Sequence, residues 1–483
     1  MEILNDIVNN INYFLWTYVV IIALIGSGIF YTLRTKFVQL RLIKEMFRLI
    51  LSSAGDTTVG KEISGFQAFC VSTAARVGVG NIAGVAIAIV MGGAGAIFWM
   101  WVVAFIGCAT GFVESTLAQI YKLPKEDGGF YGGPAYYICN TLHMENLAKL
   151  FAVLILCTFG FICAAVQTNT IVNAFETAFN INHVVTGFVV ATLTAMTIFG
   201  GAHRVAKFTE MIVPSMAGFY LISVLIVAII NIDKVPGMFA MIIHDAFTPQ
   251  AAVGGGFATV LMTGVRRGLF SNEAGEGTVP NAAATANANH PVRQGLIQAA
   301  GVYVDTIIVC SATAFAVLLS EQYVIGGNLT GVSLVQISLA GVYGDYAMQV
   351  LAVIVFMFAL SSIIGNYYYG EINIEFLKCV DSDRNDGIFY RHGMNIFRVG
   401  VIAMVLFGAF AELNFIWDLS DLFMAMLAVT NLYAIAQLSK YVFIALDDYI
   451  SQKKRGIKEP VFNPNIIPNK DGIFAWGIDK TKK

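Results

Sequence analysis

Eleven apolar runs divide this chain of 483 residues, most of them close to the roughly 20 residues that a helix needs to cross a bilayer. They cover approximately 11–33, 64–90, 95–121, 148–175, 184–200, 209–231, 255–284, 294–320, 346–377, 395–411 and 415–446, and are numbered here as segments 1 to 11. Hydrocarbon offers no water to backbone polar groups, so each run must close its own hydrogen bonds as a helix. The composition agrees: 57% of residues are hydrophobic and 12% charged, against about a quarter charged in soluble domains. The expected fold class is an all-α membrane protein with eleven transmembrane helices. Segment 1 is too long, and too poor in preceding basic residues, for a cleaved signal peptide.

Basic residues set the expected orientation, because loops rich in Lys and Arg stay in the cytoplasm. With the N-terminus external, Arg34, Lys36, Arg41, Lys44, Arg48, Lys61, Lys122, Lys125, Arg204, Lys207, Arg293, Lys378, Arg384 and Arg391 all fall inside. The tail residues Lys453, Lys454 and Arg455 then also lie inside, and Lys234 is the basic residue left in an external loop. An odd number of spans puts the C-terminus in the cytoplasm, in agreement with the charge bias. Residues 37–52 mix Arg41, Lys44 and Arg48 with Leu, Ile, Met and Phe, which suits an amphipathic helix on the inner surface or a short connector helix.

Several function classes are disfavoured. A net charge of -2 gives no nucleic-acid footprint. Cys70, Cys108, Cys157, Cys163 and Cys310 fall inside segments, with Cys139 and Cys379 on the reducing side, so no disulfide framework is expected. His143, His183, His203, His244, His290 and His392 fall in loops or at segment ends, so no helix presents the inward-facing pairs that haem or metal sites in bundles use.

Two segments are interrupted. Segment 2 contains STAARVGVGNIAG (Ser72–Gly84) and segment 7 contains RRGLFSNEAGEGTVPN (Arg266–Asn281). A charged residue at mid-membrane costs about 2.5–3.5 kcal/mol on insertion scales, so these groups must face protein or a water-filled cavity. Glycine permits both unwinding and close approach by a ligand. With segment 1 set aside, the interrupted helices are the first of two groups of five, segments 2–6 and 7–11, and an odd group size inverts one half relative to the other. Broken helices at matching places in inverted halves point to a transporter binding site at the midplane. The halves share no detectable identity, so the five-plus-five inverted repeat rests on topology. The implied organisation is 1–62 for a peripheral first helix and the amphipathic helix, 63–231 for the first repeat, 232–254 for an external loop, 255–446 for the second repeat and 447–483 for a cytoplasmic tail.

The strings VGVGNIAGVAIA (Val77–Ala88), GGPAYYI (Gly132–Ile138), GGAHRVAKFTE (Gly200–Glu210) and GLFSNEAGEGTVPNAAATA (Gly268–Ala286) resemble the alanine or glycine:cation symporter family over nearly the whole chain. The resemblance implies a leucine-transporter-like fold, uptake of alanine or glycine across the cell membrane, and sodium as the coupling ion, with no organic cofactor. Membrane lipid and the amino acid are the implied partners, with no nucleic acid, and a monomer is expected.

A zwitterion needs donors for its carboxylate and acceptors for its ammonium group, and a broken helix offers both. The carboxylate is expected at the backbone of Gly78, Val79 and Gly80, near Asn81, with Thr73 on the same stretch. The ammonium group is expected at Ser271, Asn272 and Glu273, with Gln167 and Thr170 as walls. Thr and Gln serve equally well as interhelical glue. Sodium prefers oxygen, and the carbonyls of Ala74 and Val77 supply two ligands. The resemblance implies that Ser361 and Ser362 complete the ion site; the alternative is that both bond back to their own helix. Arg76, Glu114, Arg266, Arg267, Glu273, Glu276 and Asp305 fall within segments and are expected mainly to pair with one another. Proton coupling through Glu273 and Glu276 remains open. So, more distantly, do a channel and a membrane-embedded enzyme, although two discrete breaks are not a repeated filter, and the histidine placement removes the usual catalytic candidates.

Overall fold

The computed structural model describes residues 2–55, 62–125, 128–247, 256–380, 388–411 and 413–476. Its architecture is helical throughout; among the described residues the sheet content is one short hairpin, Leu123–Pro124 paired antiparallel with Phe130–Tyr131. Seven helices among the described residues are long and apolar enough to cross a membrane, or eight if the bent pair Gly65–Arg76 and Gly80–Gly92 counts as one span. The chain is thus a multi-pass, all-α membrane protein.

The helices track the apolar runs to within a few residues at most boundaries, as with Gly95–Ile120 for segment 3 and Glu145–Phe179 for segment 4. Besides the short helix Pro134–Asn140, two longer helices stand where the sequence suggested connections, Val235–Phe247 in the loop after segment 6 and Gly331–Tyr343 between segments 8 and 9. Each has 13 residues, about 20 Å at 1.5 Å per residue, which is short of a 30 Å hydrocarbon layer.

Small residues let the central helices approach closely, as expected where lipid supplies no hydrophobic drive. A side chain at Gly264 would meet the Ala96 carbonyl at 2.5 Å, and one at Gly365 would meet the Ala75 backbone nitrogen at 2.7 Å. Segment 3 therefore lies directly on segment 7, and segment 9 on the first half of segment 2. Segment 2 begins with a capping box. The Gln67 N–H donates to Ser64 Oγ at 3.0 Å, and the Ser64 N–H donates to Gln67 Oε1 at 3.1 Å.

Two of the motifs, Gly132–Ile138 and Gly268–Ala286, meet where the start of segment 2 reaches the end of segment 7. Ile63 bridges Ala286 in parallel, and the Asn287 N–H donates to the Ile63 carbonyl at 2.9 Å. Gly133, at φ 130°, lies so close to Asn281 that a Cβ would sit 2.5 Å from Asn281 Oδ1. The GGP turn thus packs on the second half of segment 7. Lys122 Nζ donates to the Ala286 carbonyl at 2.8 Å. The tail folds over this end: the Phe462 N–H donates to the Asn289 carbonyl at 3.0 Å, Trp476 Nε1 donates to the Gln119 carbonyl at 3.0 Å, and the Phe462 and Trp476 rings lie 5.0 Å apart.

Candidate functional site

The first break follows Arg76, where Val77 leaves the helix at φ -79° and ψ 82° and the axis bends by 50°. The chain re-enters through a wide π-type turn, Gly80–Gly84, a form that recurs at functional sites. The amides of the break are already engaged. The Gly78 N–H donates to Asn81 Oδ1 at 3.0 Å and the Val79 N–H donates to Gln167 Oε1 at 3.1 Å. Two side-chain oxygens thus stand at the positions expected for a ligand carboxylate, and a ligand there must displace them or bind beside them.

The second break runs from Asn272 to Thr278. Glu273 sits at φ 55°, Gly275 at 97° and Gly277 at 79°, so the two glycines occupy conformations that side chains rarely adopt. A carboxylate that the sequence reading placed among charge pairs holds this loop. Glu114 accepts the Gly275 N–H at 3.3 Å, the Gly277 N–H at 3.2 Å and Asn431 Nδ2 at 2.8 Å, and Asn431 also donates to the Gly275 carbonyl at 2.9 Å.

The two breaks are joined through Asn81. Its Nδ2 donates to Asp305 Oδ1 at 2.7 Å and lies 3.0 Å from Ser271 Oγ, while Ser271 and Thr306 donate to Asp305 Oδ2 at 2.6 and 2.8 Å. Asn272 Nδ2 donates to Thr306 Oγ1 at 3.3 Å, and the Thr313 hydroxyl donates to the Asn81 carbonyl at 2.6 Å. The structure therefore brings Gly78, Asn81, Ser271 and Asn272 into one network. Its hub, Asp305, was foreseen only as one of several buried charges; its signal was a lone carboxylate in an apolar helix.

Between the breaks lies a cavity of about 10 Å³, lined by Gly80, Gln167, Phe270, Glu273 and Asn366 among others. That is space for about one water. Asn366 Oδ1 has no hydrogen-bond partner among the described residues. Gln167 and Glu273 thus share a cavity, and Glu273 Oε2 accepts the Thr278 hydroxyl at 2.6 Å. Thr170 does not line it. Its hydroxyl bonds back to the Val166 carbonyl at 3.1 Å, and the residue lines a separate cavity of about 440 Å³ with Asn169, Asn173 and residues 328–333. Thr73 is buried, and its hydroxyl has no hydrogen-bond partner among the described residues.

The serine pair divides. Ser362 Oγ donates to the Ala74 carbonyl at 2.7 Å, and a Cβ on Gly78 would strike that same Oγ. Ser361 instead bonds to the Phe358 carbonyl of its own helix at 2.8 Å and lies 3.4 Å from Met216 Sδ. Ser362, Ala74 and the adjacent Val77 turn are therefore together, and Ser361 faces segment 6.

The buried charges do not pair among themselves as expected. Arg267 pairs with Asp421 at 2.5 Å, a partner outside the foreseen set, and stacks on Trp417 at 4.7 Å. Arg76 donates to Gln298 Oε1 at 2.7 Å and to the Gln298 carbonyl at 3.2 Å, while Arg266 lies 5.3 Å from the Trp16 ring. Glu114, Glu273 and Asp305 accept neutral donors, and neither oxygen of Glu276 has a partner among the described residues. Neutral donors offset a buried carboxylate without the desolvation of a second ion, which is the physical reason for the difference.

Known proteins resemble the chain over most of its length. The profile of the sodium:alanine symporter family matches residues 1–464. The chain is 47% identical over 481 residues to the "Probable sodium/glutamine symporter GlnT" of Bacillus subtilis (strain 168), covering 100% of this chain and 98% of that protein. It is 37% identical over 444 residues to the sodium/alanine symporter AgcS of Methanococcus maripaludis, covering 90% and 95%. It is 35% identical over 434 residues to a sodium/proton-dependent alanine carrier protein of Bacillus sp. (strain PS3), covering 86% and 95%. With two broken helices facing each other and full-length relatives that are transporters rather than enzymes, this chain belongs to the sodium:alanine symporter family.

Proposed function

We propose that the chain is a sodium-coupled symporter of a small neutral amino acid, alanine or glycine, working by alternating access. The observation that carries this reading is the cavity where Gly80 of the first break and Glu273 of the second share one wall set, beside the Ser362–Ala74 contact. In this reading the substrate carboxylate takes the amides of Gly78 and Val79, in competition with Asn81 and Gln167, and the ammonium group meets Ser271, Asn272 and Glu273. Sodium takes the carbonyls of Ala74 and Val77 and the Ser362 hydroxyl, so the ion ties segment 9 to the broken helix and favours one arrangement of the bundle. Ser361 and Thr170 have a weaker claim, because each bonds within its own helix.

The same reading takes all eleven segments as spans, with the N-terminus external, segments 2–6 and 7–11 as inverted repeats, and a monomeric carrier. Tight walls support a short side chain: a Cβ on Gly80 would lie 2.7 Å from the Phe270 ring. Sodium-driven uptake of labelled alanine into proteoliposomes tests this, with glycine, glutamine and phenylalanine as competitors. Competition by glycine and weak competition by phenylalanine is the expected result. Equal inhibition by glutamine would move the substrate to that of the GlnT relative, and uptake unaffected by sodium would end the proposal.

One observation favours a second reading, coupling to protons. Glu276 is fully buried and neither of its oxygens has a donor among the described residues, so nothing nearby offsets a charge there. Uptake driven by an imposed proton gradient without sodium would select it.

A further inference from the structure

The chain turns sharply after segment 1, with Lys36 and Phe37 both at φ 55°, and continues through Val38–Arg41 into the helix Ile43–Ser53. One face of this stretch is fixed to the bundle. Met46, Leu49 and Ser53 are buried, the Tyr303 hydroxyl donates to the Gln39 carbonyl at 3.1 Å, and Arg293 Nη2 donates to Ser53 Oγ at 3.2 Å. These contacts run in opposite order along segment 8, so the helix lies antiparallel to the start of that segment.

The opposite face is divided lengthwise. Phe47 and Leu51, one turn apart, are exposed, Leu51 at 77%, and Leu40 is exposed in the preceding turn. Beside them the exposed residues are basic: Lys36, Arg41, Lys44 and Arg48. The acid on the helix is already occupied. Although burial alone would raise it, hydrogen bonds from Arg48, Tyr449 and Lys453 hold the Glu45 carboxyl down to about 2. Arg48 and Lys453 approach it to 2.6 and 3.0 Å, so its charge is balanced from within. Lys36, Arg41 and Lys44 make no ion pair among the described residues, and Arg41 donates only to the Thr35 carbonyl.

We propose that this face binds acidic phospholipid, with Phe47 and Leu51 among the acyl chains and Lys36, Arg41 and Lys44 on the phosphate headgroups. The two stripes are adjacent on one helix, so a lipid seated along it meets apolar and basic side chains together, and the surplus of positive charge selects anionic over zwitterionic lipid. Three residues, Thr35–Phe37, separate the end of the first apolar helix at Arg34 from the start of this stretch at Val38, so it stays beside the end of a candidate span. The proposal rests on the surface and not on the transport reading, and its test does not use transport.

Native mass spectrometry of the purified full chain, titrated with dioleoyl-phosphatidylglycerol or dioleoyl-phosphatidylcholine, counts bound lipid directly. The acidic lipid is expected to saturate at the lower concentration. Each basic residue at a membrane surface changes affinity about five-fold, so Lys36→Gln/Arg41→Gln/Lys44→Gln should raise the half-saturating concentration about a hundred-fold. Should the triple variant fold poorly, Lys44→Gln alone carries the test, with a shift of about five-fold, because Lys44 is exposed. Equal binding of the two lipids, or an unchanged isotherm in Lys44→Gln, overturns the proposal. Displacement by millimolar inorganic phosphate would overturn it too, by making free phosphate the ligand.

Discussion

Replacing Ser362 with alanine deletes the hydroxyl that reaches from segment 9 to the Ala74 carbonyl at 2.7 Å, while the β-carbon and most of the side-chain volume stay. Without an ion, the loss is one buried neutral hydrogen bond, about 1 kcal/mol, so the fold should survive. With sodium bound, the same oxygen faces a full charge, and such a contact contributes about 1.5–3 kcal/mol. The sodium concentration for half-maximal uptake should then rise about 10- to 100-fold. Ser361→Ala is the internal control. Its hydroxyl bonds to the Phe358 carbonyl of its own helix, and losing such a bond should leave the sodium curve within about two-fold. The assay is uptake of labelled alanine into proteoliposomes against external sodium, at saturating alanine, for both single variants. An unshifted curve in Ser362→Ala refutes the ion site at Ala74, and equal shifts in the two variants refute the division of the serine pair.

Gly78→Val should abolish uptake while insertion persists, since its β-carbon meets Ser362 Oγ and lies 3.0 Å from Gln167 Oε1, an overpacking of about 1–3 kcal/mol at both the proposed ion and the proposed substrate positions; normal alanine affinity would remove the first break from the proposed site. Glu114→Gln puts an amide donor against the Gly275 or Gly277 N–H, and should lower the thermal midpoint of the purified protein through a loss of about 1–3 kcal/mol. An unchanged midpoint would mean that Glu114 does not clamp the second break. Burial holds the His290 imidazole down to about 4 against the opposing pull of Asp448 at 3.3 Å. A histidine whose folded value lies below its free value of about 6.5 stabilises fully above pH 6.5 and loses that contribution as pH falls toward 4. Cleavage of the tail around Phe462, whose ring meets that of His290 edge to face at 5.4 Å, should therefore accelerate across that window, and a His290→Phe variant should show no such step.

The two breaks were legible because glycine and charge inside an apolar run have no other ready explanation in lipid, and the helix ends fell close to the apolar limits, 257–285 against 255–284 for segment 7. What holds the breaks was not legible. Glu114 lies on an uninterrupted helix, and its partners are backbone amides some 160 residues away, which no side-chain pattern encodes. The ordered tail had a faint signal, with Phe462, Ile467 and Trp476 set among polar residues, and all three turn inward or half inward. The serine pair shows what residue type alone leaves open. Neighbouring residues on a helix point about 100° apart, and on the continuous helix Tyr346–Val380 the Ser362 hydroxyl turns to the Ala74 carbonyl while that of Ser361 turns to the Phe358 carbonyl and Met216. Gln167 and Thr170, three residues apart and so on neighbouring positions of one helix face, also divide: Gln167 reaches Val79, and Thr170 lines the larger cavity. Residue type thus marks candidate positions along the chain, while the direction of each side chain separates one candidate from its neighbour. That is why the Ser361 and Ser362 variants, tested singly, discriminate more than the double variant can.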